Sequence, residues 1–280
     1  RSGGALRLQG EGAAGRGHGG VDIVSGAAGN CRQHFGIGRV HGIEPAALRR
    51  LAKAPVDVEA VAELQARGAI FYATSDTEVI VHLIATSRQR GMVARMIDAL
   101  HQVEGAYSLV ALTRKRLIGV RDPLGVRPLS IGRLGDSWIL ASETCAFDII
   151  GATFVRDVEP GELVEITEQG IISHYPFAQR RKRFCVFEYV YFARPDSIVE
   201  GRNVYAARKR IGVELAAEAP VEADIVVAVP DSGNPAAIGY AEASGLPFEM
   251  GIIRNHYVGR TFIEPTDRIR NLGVLMKHNA

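Results

Sequence analysis

The sequence predicts two parts in tandem, an α+β part built on antiparallel strands and then an α/β part built on a parallel sheet. Three observations predict this. Between residues 106 and 175, short strand-like runs alternate with turn residues, as in an antiparallel layer. Ahead of them lie two stretches with apolar residues at helical spacing. Farther on, Ile225-Val226-Val227-Ala228-Val229 is an unbroken aliphatic run of the kind that forms a parallel strand covered on both faces.

Composition bounds the answer. A chain of 280 residues suggests two domains at ~150 residues each. With 47% hydrophobic and 23% charged residues it reads as an ordinary soluble globular chain. The 33 Lys+Arg against 31 Asp+Glu leave a net +2, which argues against a nucleic-acid or membrane-surface binder. The cysteines Cys31, Cys145 and Cys185 are too few and too scattered for a disulfide framework and fit a reducing compartment. No apolar run is long enough to span a bilayer and no signal peptide pattern opens the chain, so it is read as cytoplasmic.

Residues 1–61 are rich in glycine, with Phe35 their only aromatic, and are expected to be an aberrant or disordered stretch. A weak helical pattern runs from Pro45 to Lys53. From Leu64 the pattern becomes orderly, and Gly68 to Tyr72 leads into Thr74-Ser75-Asp76-Thr77-Glu78. Ser75 and Glu78 have capping-box spacing, and Val79, Leu83 and Ile84 give the helix that follows an apolar stripe. Asp76 is left in the first turn with a carboxylate facing the helix mouth. By itself that placement only complements the helix dipole.

A second helix is expected from Met92 to Gln102, its methionines filling core. Strands are predicted over 106–112, 117–121, 128–132 and 137–141, with 162–166 and 171–175 closing the same antiparallel layer. Asp122 and Arg127 are expected to form an internal buried pair that fixes the turn between two of these strands. Cys145 reads as core, and Arg180-Arg181-Lys182-Arg183 as a solvated linker.

The second part begins with a helix over 204–217 and a strand over 224–229. The strand runs into Pro230-Asp231-Ser232-Gly233, and an Ala-rich helix follows from Asn234 to Ser244. Ligands of open α/β sheets bind at the carboxyl end of such strands. The helix start suits a phosphate, and Asp231 and Ser232 offer oxygens to a hard cation such as Mg²⁺. After an apolar strand over 248–253, Arg254-Asn255-His256-Tyr257-Val258-Gly259-Arg260-Thr261 reads as a mobile basic flap able to close over a polyanion.

Together with Phe187-Glu188-Tyr189-Val190-Tyr191-Phe192-Ala193-Arg194-Pro195-Asp196-Ser197, these motifs strongly resemble the amidophosphoribosyltransferase family, over about residues 62–280. The resemblance implies a glutaminase of the N-terminal-nucleophile hydrolase type over 62–179, a four-layer α/β/β/α fold present in part. It also implies the start of a type I phosphoribosyltransferase domain over 180–280. The implied activity is glutamine-dependent transfer of ammonia to phosphoribosyl pyrophosphate, giving 5-phosphoribosylamine, the first committed step of purine nucleotide synthesis. Asp76 would hold the α-amino group of glutamine. Asp231, Ser232, Gly233, Arg254, Tyr257 and Arg260 would bind the sugar phosphate, with Ser232 toward Mg²⁺. Cys185 stands where family members that carry a [4Fe-4S] cluster have one of its ligands. Purine nucleotides are the implied inhibitors and a homo-oligomer the implied assembly.

The sequence also departs from the family. A terminal cysteine, an Arg-Tyr-Ser/Thr segment and an Asn-Gly pair are absent from residues 1–61, and Cys31 is internal without the usual following residues. No catalytic residue is therefore assigned. The segment by which the family grips the ribose hydroxyls is also not found before Ala280. The chain as it stands is expected to be inactive, and the alternative reading is a non-catalytic fragment that only associates with intact subunits or binds nucleotide. A glucosamine-6-phosphate-forming glutaminase would account for residues 64–175 but not for the 230–233 turn.

Overall fold

The computed structural model describes residues 16–17, 21–25, 58–72, 76–258 and 266–280. The chain divides into two compact units after Cys185.

The first unit is built on a six-stranded antiparallel sheet. Its order is β1 (Arg16–Gly17), β2 (Val21–Ser25), β3 (Ser108–Leu112), β4 (Leu117–Arg121), β8 (Leu163–Thr167) and β9 (Gly170–His174). A second sheet of three strands has β5 (Ser130–Leu134) between β6 (Ser137–Ala141) and β7 (Thr153–Asp157). The strands that read by pattern as one antiparallel layer thus form two sheets, in line with the α/β/β/α layering that the resemblance implied. The reason lies in burial: β4 and β8 bury consecutive residues, so each presents an apolar surface to both sides.

One of those surfaces meets α2 (Asp76–Thr86) and α3 (Met92–Leu100). Ile80, Val81, Ile84, Met96 and Leu100 pack there against Leu109, Ala111, Ile118, Val120 and Leu163. The other surface meets the three-stranded sheet, with Val164 and Ile166 against Leu129, Ile131 and Leu140. Gly119 lets the sheets approach, since a Cβ there would lie 2.7 Å from Leu140 Cδ1. On the far side of the small sheet, the Phe147 ring of α4 (Cys145–Ile150) rests on Gly132, where a Cβ would come within 2.6 Å of it. The layers therefore run α/β/β/α.

Several elements of this unit go beyond the sequence reading, β1 and α4 among them. α1 (Val58–Ala66) and β2 fall in the stretch expected to lack order. β7 was not foreseen because Thr-Phe-Val-Arg-Asp has no period-two alternation, and Phe154 and Val155 are indeed exposed.

The second unit starts with a π-helical turn over Glu188–Phe192 and a two-stranded hairpin, β10 (Ile198–Val199) with β11 (Arg202–Asn203). Asn203 caps α5 (Val204–Glu218), its Oδ1 accepting the Ala206 N–H at 2.9 Å. β12 (Val226–Val227) and β13 (Phe248–Glu249) pair in parallel, and α6 (Asn234–Ser244) is the crossover between them. The strand expected over 224–229 is only two residues long in pairing. The run expected over 248–253 divides into β13 and β14 (Ile253–Arg254), which pairs antiparallel with β15 (His278–Asn279) after α7 (Asp267–Lys277).

Candidate functional site

Each unit carries one candidate region. In the first, α2 begins at Asp76, so the backbone of this residue lies at the positive end of the helix, while its side chain is outside the description, as is Ser75. Two residues on, Glu78 is buried and accepts the Tyr72 N–H at 2.8 Å. Its carboxylate lies 4.0 Å from His82 Nε2, and the His82 ring packs on Phe71 with centroids 4.5 Å apart. Phe71 and Tyr72 are thereby held beside the first turns of α2, next to the position of Asp76.

The turn after β4 is fixed by a cation that the sequence reading passed over. Arg121, 1% exposed, donates to the carbonyls of Gly125 at 2.9 Å, Arg127 at 2.8 Å and Val158 at 2.9 Å. Asp122 has no exposed surface and accepts the N–H groups of Leu124 at 2.9 Å and Val126 at 3.1 Å. Burial pushes the Asp122 carboxyl above the usual carboxylate range, against the opposing pull of those amides and of Arg121. Backbone amides around Asp122 and the guanidinium of Arg121 thus take part in fixing the turn that was expected to rest on Asp122 and Arg127.

In the second unit, the carboxyl end of β12 runs into the turn Pro230 to Gly233, and α6 starts at Asn234. The turn is tight. The Gly233 N–H reaches the Val229 carbonyl at 3.3 Å, and a Cβ on Gly233 would lie 2.6 Å from that oxygen, so only glycine fits. Pro235 in the first turn of α6 suits a helix start. Asp231 is half exposed and forms an ion pair with Arg254 of β14. The Ser232 hydroxyl has no hydrogen bond among the described residues. The structure therefore brings Asp231, Ser232, Gly233 and Arg254 to one end of the βαβ unit. Tyr257 is fully exposed beyond Arg254, and Arg260 lies outside the described residues.

The Phe187 to Ser197 motif is tied into this unit by Arg208. Its guanidinium, 3% exposed, donates from Nε to the Tyr189 carbonyl and from Nη2 to the Ala193 carbonyl at 2.7 Å. The motif supports α5 and offers its buried Glu188 to the interior. Its sequence gave no sign of that, because the partner lies in a helix of near-neutral character.

Oxygen donors at Asp231 and Ser232 suit Mg²⁺ by type. For an iron–sulfur cluster the described residues offer one candidate ligand, the half-buried Cys185. Cys145 is buried beside Glu143, at 3.8 Å from Sγ to Oε2, while the Cys185 N–H donates to the Val126 carbonyl at 3.1 Å. Among the described residues no three His, Cys, Asp or Glu side chains gather as a metal site, and a cluster needs four thiolates. No helix of the described residues is long and apolar enough to cross a membrane.

These features define a glutaminase-type layer followed by a βαβ unit with an anion-suited turn, and comparison with known proteins names the class. Residues 57–148 match the family model of the glutamine amidotransferase domain. The amidophosphoribosyltransferase of Rhizobium etli is 59% identical over 223 residues, covering 78% of this chain and 45% of its own. That of Bacillus subtilis is 49% identical over 218 residues, covering 78% and 46%. Among solved structures, glutamine phosphoribosylpyrophosphate amidotransferase from B. subtilis complexed with ADP and GMP aligns with a TM-score of 0.75 at 40% identity, covering 96% of this chain and 53% of that one. A structure described as the allosteric regulatory enzyme of purine biosynthesis gives 0.75 at 41% identity, covering 93% and 50%. Across three quarters of its length, then, this chain is a homologue of the amidophosphoribosyltransferases. It spans less than half the length of these curated relatives.

Proposed function

We propose that the protein to which this sequence belongs is an amidophosphoribosyltransferase, converting phosphoribosyl pyrophosphate, glutamine and water into 5-phosphoribosylamine, glutamate and pyrophosphate. The observation that carries this reading is the reach of the homology. An alignment of 223 residues cannot fit inside the first unit, which ends at Cys185, so it takes in part of the second as well. A glutaminase of another pathway would share only the first.

In this reading the two half-reactions fall to the two units. Asp76, at the mouth of α2, binds the α-amino group of glutamine. A thiolate that the described residues do not supply releases ammonia, and the ammonia displaces pyrophosphate from C1 of the sugar. Negative charge builds on the departing pyrophosphate. The start of α6, the Gly233 turn and the cations Arg254 and Arg260 are suited to stabilise it, with Tyr257 alongside. Mg²⁺, when bound, would supply further charge neutralisation, and Asp231 and Ser232 are the oxygens suited to hold it. The residues at 180–280 would be the beginning of the type I phosphoribosyltransferase domain. Cys185 contributes at most one ligand to a cluster, and no step is assigned to it. Purine nucleotides are the inhibitors this reading implies, in keeping with the ADP and GMP held by the B. subtilis structure. A homo-oligomer is the implied assembly.

The test uses a protein of the relatives' full length carrying this sequence. It is incubated with phosphoribosyl pyrophosphate, Mg²⁺ and either glutamine or ammonia, and released pyrophosphate is measured. Release with both donors is expected. Glutamine hydrolysis that never couples to pyrophosphate release would return the protein to the general glutaminases.

A further inference from the structure

We propose that Asp231 is a latch on Arg254: its carboxylate occupies the guanidinium in the absence of substrate, and an incoming diphosphate must displace it. This deepens the reading of the 230–233 turn as an anion site and rests on it.

The geometry is asymmetric. The Arg254 side chain is 18% exposed and that of Asp231 is 48% exposed, so the cation is the more deeply held partner and the carboxylate is the one free to swing outward. Arg254 donates to Asp231 from Nη1, whereas its Nε is buried and has no hydrogen-bond partner among the described residues. A guanidinium presents its donors as a rigid fork that matches an oxyanion through two nitrogens at once. The carboxylate of Asp231 therefore leaves Arg254 under-satisfied. A diphosphate, with more oxygens and more charge, can take the place of the carboxylate and gain the contact that Nε lacks.

The latch also joins two segments. Asp231 stands in the turn after β12 and Arg254 is the last residue of β14, from which the chain continues into Asn255-His256-Tyr257. While the ion pair holds, the basic segment is tethered at its base to the turn. Exchange of partners frees the turn at the moment the anion arrives. Of the other polar groups at this base, Asn255 donates from Nδ2 to the Met276 carbonyl at 3.3 Å and accepts the Tyr257 N–H at 3.0 Å, while His278, opposite Arg254 in the β14–β15 ladder, has a buried Nε2 that, like Arg254 Nε, makes no hydrogen bond among the described residues.

The test is a titration of the present 280-residue chain with inorganic pyrophosphate in the absence of divalent cations, followed by calorimetry or NMR, on four proteins: wild type, Asp231→Asn, Arg254→Ala and the double variant. Circular dichroism verifies that each is folded. Asp231→Asn is expected to bind about two- to fivefold more tightly, the fold-change corresponding to an ion pair of this exposure. That gain is expected to vanish in the Arg254→Ala background. A gain that persists without Arg254 would be simple relief of charge repulsion and would overturn the latch. So would equal or weaker binding by Asp231→Asn. Absence of pyrophosphate binding in all four folded proteins would instead remove the anion-site reading itself, and the latch with it.

Discussion

Arg156 clamps Glu162 through two hydrogen bonds, Nη1 to Oε2 at 2.8 Å and Nη2 to Oε1 at 2.7 Å, and the Glu162 side chain has no exposed surface. Ser173 Oγ adds a bond of 2.6 Å and the Glu159 N–H one of 2.7 Å. Burial alone would push this carboxyl up. The hydrogen bonds from Arg156, Ser173 and Glu159 outweigh it and hold the group below its ordinary 4.5. The stability linked to Glu162 is therefore present above pH 4.5 and is lost as pH falls through the lowered folded value. Glu162→Gln should cost roughly 3 kcal/mol at neutral pH. Urea unfolding across a pH series checks this, since the gap between wild type and variant should close in acid. A gap independent of pH would mean that the clamp acts by shape and not by charge.

Gly212→Ala should loosen the second unit. A Cβ at Gly212 would lie 1.8 Å from the Ala236 carbonyl, and one at Gly239 would lie 2.0 Å from that of Lys209, so α5 and α6 meet backbone to backbone. A methyl group forces the helices apart, at a cost of roughly 3 kcal/mol. Gly245→Ala is the control. That residue has φ 75 and open space around it, so roughly 1 kcal/mol is expected. Thermal unfolding followed by circular dichroism ranks the two, and equal effects would contradict the close crossing.

Asp76→Asn, in the full-length protein, should raise KM for glutamine by about tenfold, the loss of one charge-assisted hydrogen bond. Ammonia-dependent synthesis should be unchanged. Equal loss of both activities would make Asp76 a purely structural first-turn residue.

Ser232→Ala should weaken recognition of the Mg²⁺-bound pyrophosphate group of the sugar substrate, and Arg260→Ala should slow turnover, while both spare uncoupled glutamine hydrolysis. Initial rates at varied Mg²⁺ and phosphoribosyl pyrophosphate measure this. Loss of glutamine hydrolysis in either variant would argue against the assignment.

Strands over 117–121 and 137–141 were legible to the residue, as was the helix start at Met92, because each pairs a clear apolar pattern with turn residues. The division into two sheets was implied by the resemblance but not legible in the strand pattern, since Val164 and Leu163 are equally apolar yet face different neighbours. Charged groups were harder still. Arg121, Glu162 and Arg208 read as solvated positions in a linear sequence, and only the fold turns them inward. In the second unit, the 230–233 turn and Arg254 stood out in sequence by their contrast with the strands before them. Their mutual ion pair joins residues far apart in the chain and had no local signal.

The Arg121 hub has a kinetic consequence. The loop from Asp122 to Arg127 belongs to neither sheet, yet its carbonyls and those of the distant Val158 are gathered by one guanidinium, and its amides by one carboxylate. Such a loop cannot fray by itself, because lifting any part of it strands a buried charge. The amide protons of Leu124 and Val126 should therefore exchange with deuterium as slowly as those of β4, through opening of the whole unit, while that of the exposed Tyr257 should exchange orders of magnitude faster by local motion. A coil segment would then share the cooperativity of the sheet it adjoins.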